Sequence, residues 1–100
     1  MNAAYLVGHI TVKNAEQWNK YRAQVPATLQ PWGAEITFRG KLVEVLSGEH
    51  SFDDIVVIRF PDKESIQGWH ASPAYQALLP LRRQAAEMLL LAYETPPIYT

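Results

Sequence analysis

Hydrophobic and polar residues alternate along several short stretches of the chain, and this alternation predicts β-strands. The first predicted strand is Ala4–Val12, and the second, residues 34–46, is either one strand or a bent pair. Gly40 interrupts the second stretch, which suggests a bulge or bend there. Residues 55–60 are rich in β-branched side chains, as is typical of a central strand, and residues 87–94 form the last predicted strand.

A helical spacing of apolar residues follows the first strand. The repeating positions, which would form one apolar face, are Trp18, Tyr21, Val25 and Leu29. Asn14 is a suitable N-cap for this helix, and Pro26 should kink or end it nearby, because proline lacks an amide donor. A second helix is predicted to begin after the cap Asp62 and to end near residue 69. Residues 47–54 form a predicted loop.

The stretch W-H-A-S-P-A-Y, residues 69–75, connects the second helix to a third helical segment. Ser72 is a good N-cap and Pro73 suits the first helical position, so the Ser-Pro step predicts a helix start. Trp69 and Tyr75 are expected to hold the two helical segments to each other and to the sheet. His70 is the only candidate for chemistry in this stretch.

The predicted order is β-α-β-β-α-β, with an extra short helix before the last strand. This is the α+β, ferredoxin-like arrangement, with a four-stranded antiparallel sheet and helices on one face. Right-handed crossovers place the first and third strands at the centre. We expect one domain, residues 1–95, and a C-terminal tail, residues 96–100, whose prolines stop the strand ladder.

Helices on one side leave the other face of such a sheet to water or to a partner. One parity of the strands suits the helix side: Leu6, Ile10, Val12, Ile36, Phe38, Val56, Ile58 and Phe60. The opposite parity is mixed: Tyr5, Val7, His9, Thr11, Glu35, Thr37, Arg39, Ile55, Val57 and Arg59. A mixed face on central strands predicts a partly enclosed pocket, or a dimer interface that contains a cavity.

Composition limits the classes of function. The chain has 100 residues and a small core, so a second copy that covers a hydrophobic face would stabilise it. The net charge of −1 argues against a nucleic-acid partner. The absence of cysteine excludes disulfides and fits a reducing cytoplasm. No signal peptide or membrane span is expected. No metal-ligand or nucleotide motif is present, so no metal or cofactor is predicted.

Two histidines are the candidate catalytic residues, since imidazole titrates near neutral pH. His70 is either a general base or a surface histidine at a helix C-terminus. His9 is either a general base or a hydrogen-bonded interface histidine. Arg59 is predicted to lie on a central strand, where an isolated buried charge is costly, so it needs a partner of opposite charge. That partner is either a carboxylate, from Glu35 or Glu94, or a ligand carboxylate.

The predicted ligand-binding residues include several arginines and tyrosines. In the ligand alternative, Arg59 and Arg39 bind a substrate carboxylate together. Tyr75 and Arg82 lie on one helical face with two leucines, and they either pack or line the pocket mouth. The complete predicted ligand-binding set is Arg59, Arg39, Tyr5, Tyr21, Tyr75 and Arg82.

Several short motifs, in order along about nine-tenths of the chain, resemble those of the domain-of-unknown-function family 1330 in the dimeric α/β barrel superfamily. The matching residues are Tyr5, Trp18, Tyr21, Pro26, Trp32-Gly33, Arg39-Gly40, Gly48, Phe60-Pro61, the W-x-x-S-P-x-Y of residues 69–75, and Arg82. The resemblance implies a ferredoxin-like fold and a homodimer whose two sheets pack into a barrel. It implies no activity.

The chain departs from this family at two positions. Relatives usually have Glu-Gly where this chain has Ser47-Gly48, and Glu-Phe where it has Arg59-Phe60. An acid-base role of those carboxylates therefore does not carry over. The superfamily also contains cofactor-independent monooxygenases, small isomerases and haem enzymes, but a shared fold does not determine function.

Three hypotheses for function follow. The first is a small cytoplasmic homodimer that binds a small organic ligand between the sheet and the partner subunit. The second is a cofactor-independent enzyme, an isomerase or monooxygenase, that acts on a small aromatic or carboxylate substrate. The third is an interaction module without a ligand.

Overall fold

The computed structural model describes residues 3–96 of the 100-residue chain. The elements along the chain are β1 (Ala4–Val12), α1 (Ala15–Leu29), a 3-10 turn (Gln30–Trp32), β2 (Glu35–Lys41), β3 (Asp54–Phe60), α2 (Lys63–Ala71), α3 (Pro73–Gln76), α4 (Leu79–Ala85) and β4 (Ala86–Glu94). This order confirms the predicted ferredoxin-like pattern. Of the predicted C-terminal tail, all but Pro96 lies outside the described residues.

The four strands form one antiparallel sheet in the order β2-β3-β1-β4, so the first and third strands are central, as predicted. Leu6 of β1 lies between Ile58 of β3 and Ala92 of β4. The same parity of these strands faces the helices and forms the core. The molecule is only 17 Å thick along its shortest axis, as expected for one sheet and one helical layer.

Three of the four helices in the described part of the chain begin where their capping residues predict, whereas α4 begins at Leu79 without a side-chain cap. Asn14 Oδ1 and Asp62 Oδ1 each accept a hydrogen bond from the amide three residues later, at 3.0 and 2.7 Å. Ser72 caps α3 in the same way at 3.3 Å, with Pro73 as the first helical residue. α1 continues past Pro26 and ends at Leu29, within one turn of it. The helix tolerates the proline there because a proline in the last turn removes only one backbone hydrogen bond. No helix within residues 3–96 is long and apolar enough to cross a membrane.

An irregularity in β2 changes the side of the sheet that two residues occupy. The pairing of β2 with β3 shifts between Ile36 and Phe38, at Thr37, and not at the predicted Gly40. A one-residue shift reverses the alternation. Phe38 therefore lies opposite the helices and Arg39 lies on the helix side, so the sides predicted for both were wrong. Gly40 has another role, because a Cβ there would lie 2.8 Å from two Phe38 ring carbons.

β2 is also shorter than predicted, and residues 42–53 form an irregular segment that we call the β2–β3 loop. The ladder extends only one bond beyond the strand, from the Leu42 amide to the Asp53 carbonyl at 2.6 Å. The remaining apolar side chains of the predicted strand project into solvent, with Val43 95% and Leu46 87% exposed. The alternating pattern here reflects a loop with apolar side chains, and not a longer strand.

Candidate functional site

The sheet face opposite the helices, the open face, is largely apolar and uncovered within the single chain. Its side chains are Tyr5, Val7, His9, Thr11, Glu35, Phe38, Ile55, Val57, Arg59, Glu87, Leu89, Leu91 and Tyr93. Phe38 and Tyr93 are each 55% exposed and Leu89 is 43% exposed. A contiguous apolar surface of this kind on a small chain marks an interaction or ligand site.

His9 lies near the centre of the open face, between two clefts. One cleft, of about 580 Å³, is bordered by β2 and the β2–β3 loop; the other, of about 530 Å³, is bordered by the same loop and β4. His50 and Phe52 of the loop line both clefts. Their ring centroids lie 5.0 and 6.0 Å from that of His9, and 5.9 Å from each other. These three residues are the histidine cluster.

The sequence predicted His9 as a site residue but missed His50 and Phe52. Both lie in the β2–β3 loop, where no periodicity indicates which strand they approach. The loop is brought over β1 by the Asp53 amide, which donates to the Ile10 carbonyl at 3.0 Å. Thr11 Oγ1 also donates to the Ser51 carbonyl at 3.5 Å, and these long-range contacts bring the three rings together.

Arg59 lies on the open face, opposite Tyr5 of β1 and Glu35 of β2. Among the described residues it forms no ion pair, so the predicted structural pair with Glu35 or Glu94 is not made. Glu94 pairs with Ala4, and this register places Glu94 on the helix side of the sheet. Arg59 is exposed in the single chain, and water therefore solvates its charge.

Tyr21, Tyr75 and Arg82 form a hydrogen-bonded chain inside the helical layer. Arg82 Nη1 donates to Tyr75 Oη at 2.8 Å, and the hydroxyls of Tyr75 and Tyr21 are 2.9 Å apart. Burial raises the pKa of Tyr21 well above its ordinary value, the Tyr75 hydroxyl raises this pKa further, and Arg82 opposes the shift. The Tyr21 hydroxyl is therefore neutral, and the hydrogen-bonded chain connects α1 to α3 and α4.

Trp69 and Tyr75 anchor the helical segments, as the sequence predicted. Their ring centroids are 4.0 Å apart, and Trp69 lies 5.8 Å from Phe60 of β3. The Trp69 indole N–H donates to Thr28 Oγ1 of α1 at 3.0 Å. The two aromatic residues of the W-x-x-S-P-x-Y motif are therefore part of the core.

The predicted residues do not form one site within a single chain. His70 is exposed near the end of α2, on the helix side of the sheet, whereas His9 is on the open face. Arg39 and Arg59 are likewise on opposite faces, so they cannot bind one carboxylate together. No group of three or more His, Cys, Asp or Glu side chains within residues 3–96 is arranged to hold a metal ion.

Comparisons with known proteins place the chain in a sequence family. The model of the family described as "Domain of unknown function (DUF1330)" matches residues 3–95. No curated protein matches the chain significantly.

Several solved structures have the same fold, and three of them are two proteins of unknown function and one oxygenase. A protein of unknown function from Rhodopseudomonas palustris is 15% identical, with a TM-score of 0.78 over 95% of this chain and 83% of that one. A dimeric ferredoxin-like protein of unknown function from Jannaschia sp. CCS1 is 12% identical, with a TM-score of 0.74 over 93% and 99%. SnoaB, a cofactor-independent oxygenase from Streptomyces nogalater, is 13% identical, with a TM-score of 0.68 over 96% and 95%. At these identities the likeness shows the fold alone.

Proposed function

Because the chain belongs to the family described as Domain of unknown function (DUF1330), and proteins of its fold include dimers, we propose that it functions as a homodimer that binds a small organic ligand. The open faces of two chains pack together, and the ligand lies beside His9. The observation that carries this proposal is the uncovered, largely apolar open face.

The size of the open face supports a second copy as its occupant. Four strands spaced about 4.8 Å apart, each about eight residues long, present roughly 500 Å² of flat area per chain. Two such faces bury roughly 1,000 Å² in total, which is about the lower limit for a specific interface. The same surface on each subunit can then meet itself about a two-fold axis, as in most homodimers.

The β2–β3 loop adds to this interface. It carries four exposed apolar side chains, Leu42, Val43, Val45 and Leu46, of which Val43 and Leu46 are almost fully exposed. Water solvates these side chains poorly, and the described chain leaves much of their surface uncovered. A partner subunit would cover them and bring the total buried area into the range of stable dimers.

The ligand site is the pair of clefts around the histidine cluster. In the single chain each cleft is open to solvent, and each has a volume within the range of small-molecule pockets. A second sheet packed over the open face would close them and exclude water. The rings of His9, His50 and Phe52 suit a flat organic ligand that stacks on aromatic surfaces.

Analytical ultracentrifugation at micromolar concentration tests the dimer. We expect a mass of twice 11.3 kDa. Leu89→Glu places a carboxylate on the open face and should raise the dimer dissociation constant about a hundredfold or more. The matched control is Ala23→Glu, which adds the same charge to an exposed position of α1 and should leave the dimer intact. A wild-type mass near 11.3 kDa, or a Leu89→Glu variant that dimerises normally, contradicts the proposal.

A thermal-shift screen of small aromatic acids, phenols and ketones tests the ligand site. Ligands that raise the melting temperature should lose this effect in His9→Ala and in Phe52→Ala, and retain it in His70→Ala. A screen without any stabilising compound, or stabilisation that persists in both cluster variants, would count against the proposed site. The third hypothesis, an interaction module without a ligand, predicts that outcome together with an intact dimer.

A second candidate function is an isomerase, which is favoured by the neighbouring imidazoles of His9 and His50 in the clefts. One imidazole would remove a proton from a carbon beside a carbonyl, and protonation at another atom would complete the isomerisation without an oxidant. Incubating the protein with small aromatic ketones in D₂O and following C–H exchange by NMR tests this function. Exchange at the buffer rate, or equal exchange with His9→Ala, would exclude the proposed role of His9.

The cytoplasmic location remains a prediction from the sequence.

A further inference from the structure

A third cleft, on the helix side of the sheet at its β2 edge, contains two arginines. Arg39 faces this side because of the bulge, which pairs it with the buried Val56. Arg22 reaches the same place from α1, and Trp18 lies one turn earlier on that helix. All three side chains border both an internal cavity of about 30 Å³ and an open cleft of about 270 Å³. They therefore lie where the two spaces adjoin, and we call this place the opening.

Neither arginine has a carboxylate partner among the described residues. Arg22 Nη2 donates to a neutral acceptor, Asn19 Oδ1, at 3.4 Å. The carboxylate that also borders the cleft, Asp54, is paired with Lys41 Nζ at 3.2 Å. Partial burial lowers the pKa of Arg39 and the charge of Arg22 lowers it further, while Tyr21 opposes both effects. Two like charges thus border one cleft, and no carboxylate of the described residues neutralises either of them.

The cavity behind the two guanidinium groups is apolar. Its wall includes Leu6, Val25, Ile36, Val56, Ile58, Met88 and Leu90. A volume of 30 Å³ accommodates about two groups the size of water, so only a short chain can enter without rearrangement. A matching ligand therefore combines an anionic head with a short apolar tail.

We propose that Arg22 and Arg39 form a binding site for the carboxylate of a short-chain aliphatic acid, whose alkyl end enters the apolar cavity. Guanidinium groups bind carboxylates through two parallel N–H donors, and a pair of them surrounds the anion. Trp18 lies along the ligand at the opening. This site is on the opposite side of the sheet from the open face, so it stands independently of the dimer and of the histidine cluster.

Two-dimensional ¹H–¹⁵N NMR of the full-length protein tests this site, with sodium butyrate as the probe. The indole N–H signal of Trp18 reports on the opening, and the indole of Trp32, which does not border either space, is an internal reference. We expect a saturable shift of the Trp18 signal with butyrate. Butyramide has the same shape without the charge and should bind at least about tenfold more weakly, since charge-assisted hydrogen bonds are the stronger ones.

Substitutions identify the anion-binding groups. Arg39→Gln and Arg22→Gln should each weaken butyrate binding about tenfold or more. Arg83→Gln, at an exposed arginine of α4, is the matched control and should bind like wild type. Arg22 is exposed on α1, so its variant remains informative even if Arg39→Gln fails to fold. The proposal is overturned by no saturable shift at tens of millimolar butyrate, by equal binding of butyramide, or by an unchanged affinity in a folded Arg22→Gln variant.

Discussion

Removing the Tyr75 hydroxyl tests whether the Tyr21–Tyr75–Arg82 chain stabilises the fold. Tyr75→Phe keeps the ring that packs on Trp69 but removes the oxygen that accepts from Arg82 at 2.8 Å and contacts the Tyr21 hydroxyl at 2.9 Å. Tyr21 is only 4% exposed, so its hydroxyl would then be buried without this partner.

The expected magnitude follows from these two losses. An orphaned buried hydroxyl costs about 1–3 kcal/mol, and a hydrogen bond to a charged group contributes about 1.5–3 kcal/mol. Arg82 is only half-buried, so water replaces part of its interaction and the lower end of that range applies. We expect the two losses together to lower the free energy of unfolding of Tyr75→Phe by about 2.5–4.5 kcal/mol.

Urea denaturation at one fixed protein concentration measures this loss, because the stability of a dimer depends on concentration. A double-mutant cycle with Tyr21→Phe isolates the contact between the hydroxyls. In the Tyr75→Phe background, Tyr21→Phe removes a hydroxyl that has already lost its partner, so it should hardly change the free energy of unfolding. The coupling energy between the two substitutions should be about 1–2 kcal/mol. Arg83→Gln, at an exposed position of α4 away from the open face, is the control.

Two results would refute this reasoning. One is a Tyr75→Phe variant that loses less than about 0.5 kcal/mol, as expected for a surface substitution. The other is a pair of single variants whose effects add within about 0.5 kcal/mol, as for independent sites. Either would mean that the hydroxyl chain does not stabilise the helical layer.

Three further substitutions test single contacts. Gly8→Ala should destabilise the fold by about 1–3 kcal/mol in urea denaturation, because the added Cβ would lie 2.9 Å from a valine methyl carbon on β3; unchanged stability would show that the core relaxes there. Thr28→Val leaves the buried Trp69 indole N–H without its acceptor and should cost about 1–3 kcal/mol, whereas Thr28→Ser keeps the hydroxyl and should cost less. The hydroxyl and amide of Ser65 lower the pKa of Asp62, so its carboxylate stabilises the fold above the unfolded pKa, and this contribution is lost as pH falls through the folded pKa. In Asp62→Asn the free energy of unfolding should therefore fall less steeply as the pH is lowered. Curves of this free energy against pH that run parallel for wild type and variant would refute the stabilising role of the Asp62 carboxylate.

The elements of this fold and their order follow from local signals in the sequence. Helix caps at Asn14, Asp62 and Ser72 act through amides three residues away, so the chain itself contains both partners. The alternation in β1 and β3 likewise identifies the buried side, because a regular strand places every second residue on one face. These interactions need no knowledge of the tertiary structure.

The candidate sites depend on contacts between distant parts of the chain. The bulge in β2 is set by how it pairs with β3, and that pairing moves Arg39 to the side of Arg22 and away from Arg59. The β2–β3 loop has no period, so its approach to His9 appears only in the folded chain. The sequence by itself determined the order of the strands, the starts of α1, α2 and α3, and the existence of an unpaired sheet face. Only the tertiary structure decided which charged and aromatic side chains meet, since a one-residue shift in register reverses a side chain's face and a loop's course depends on long-range hydrogen bonds.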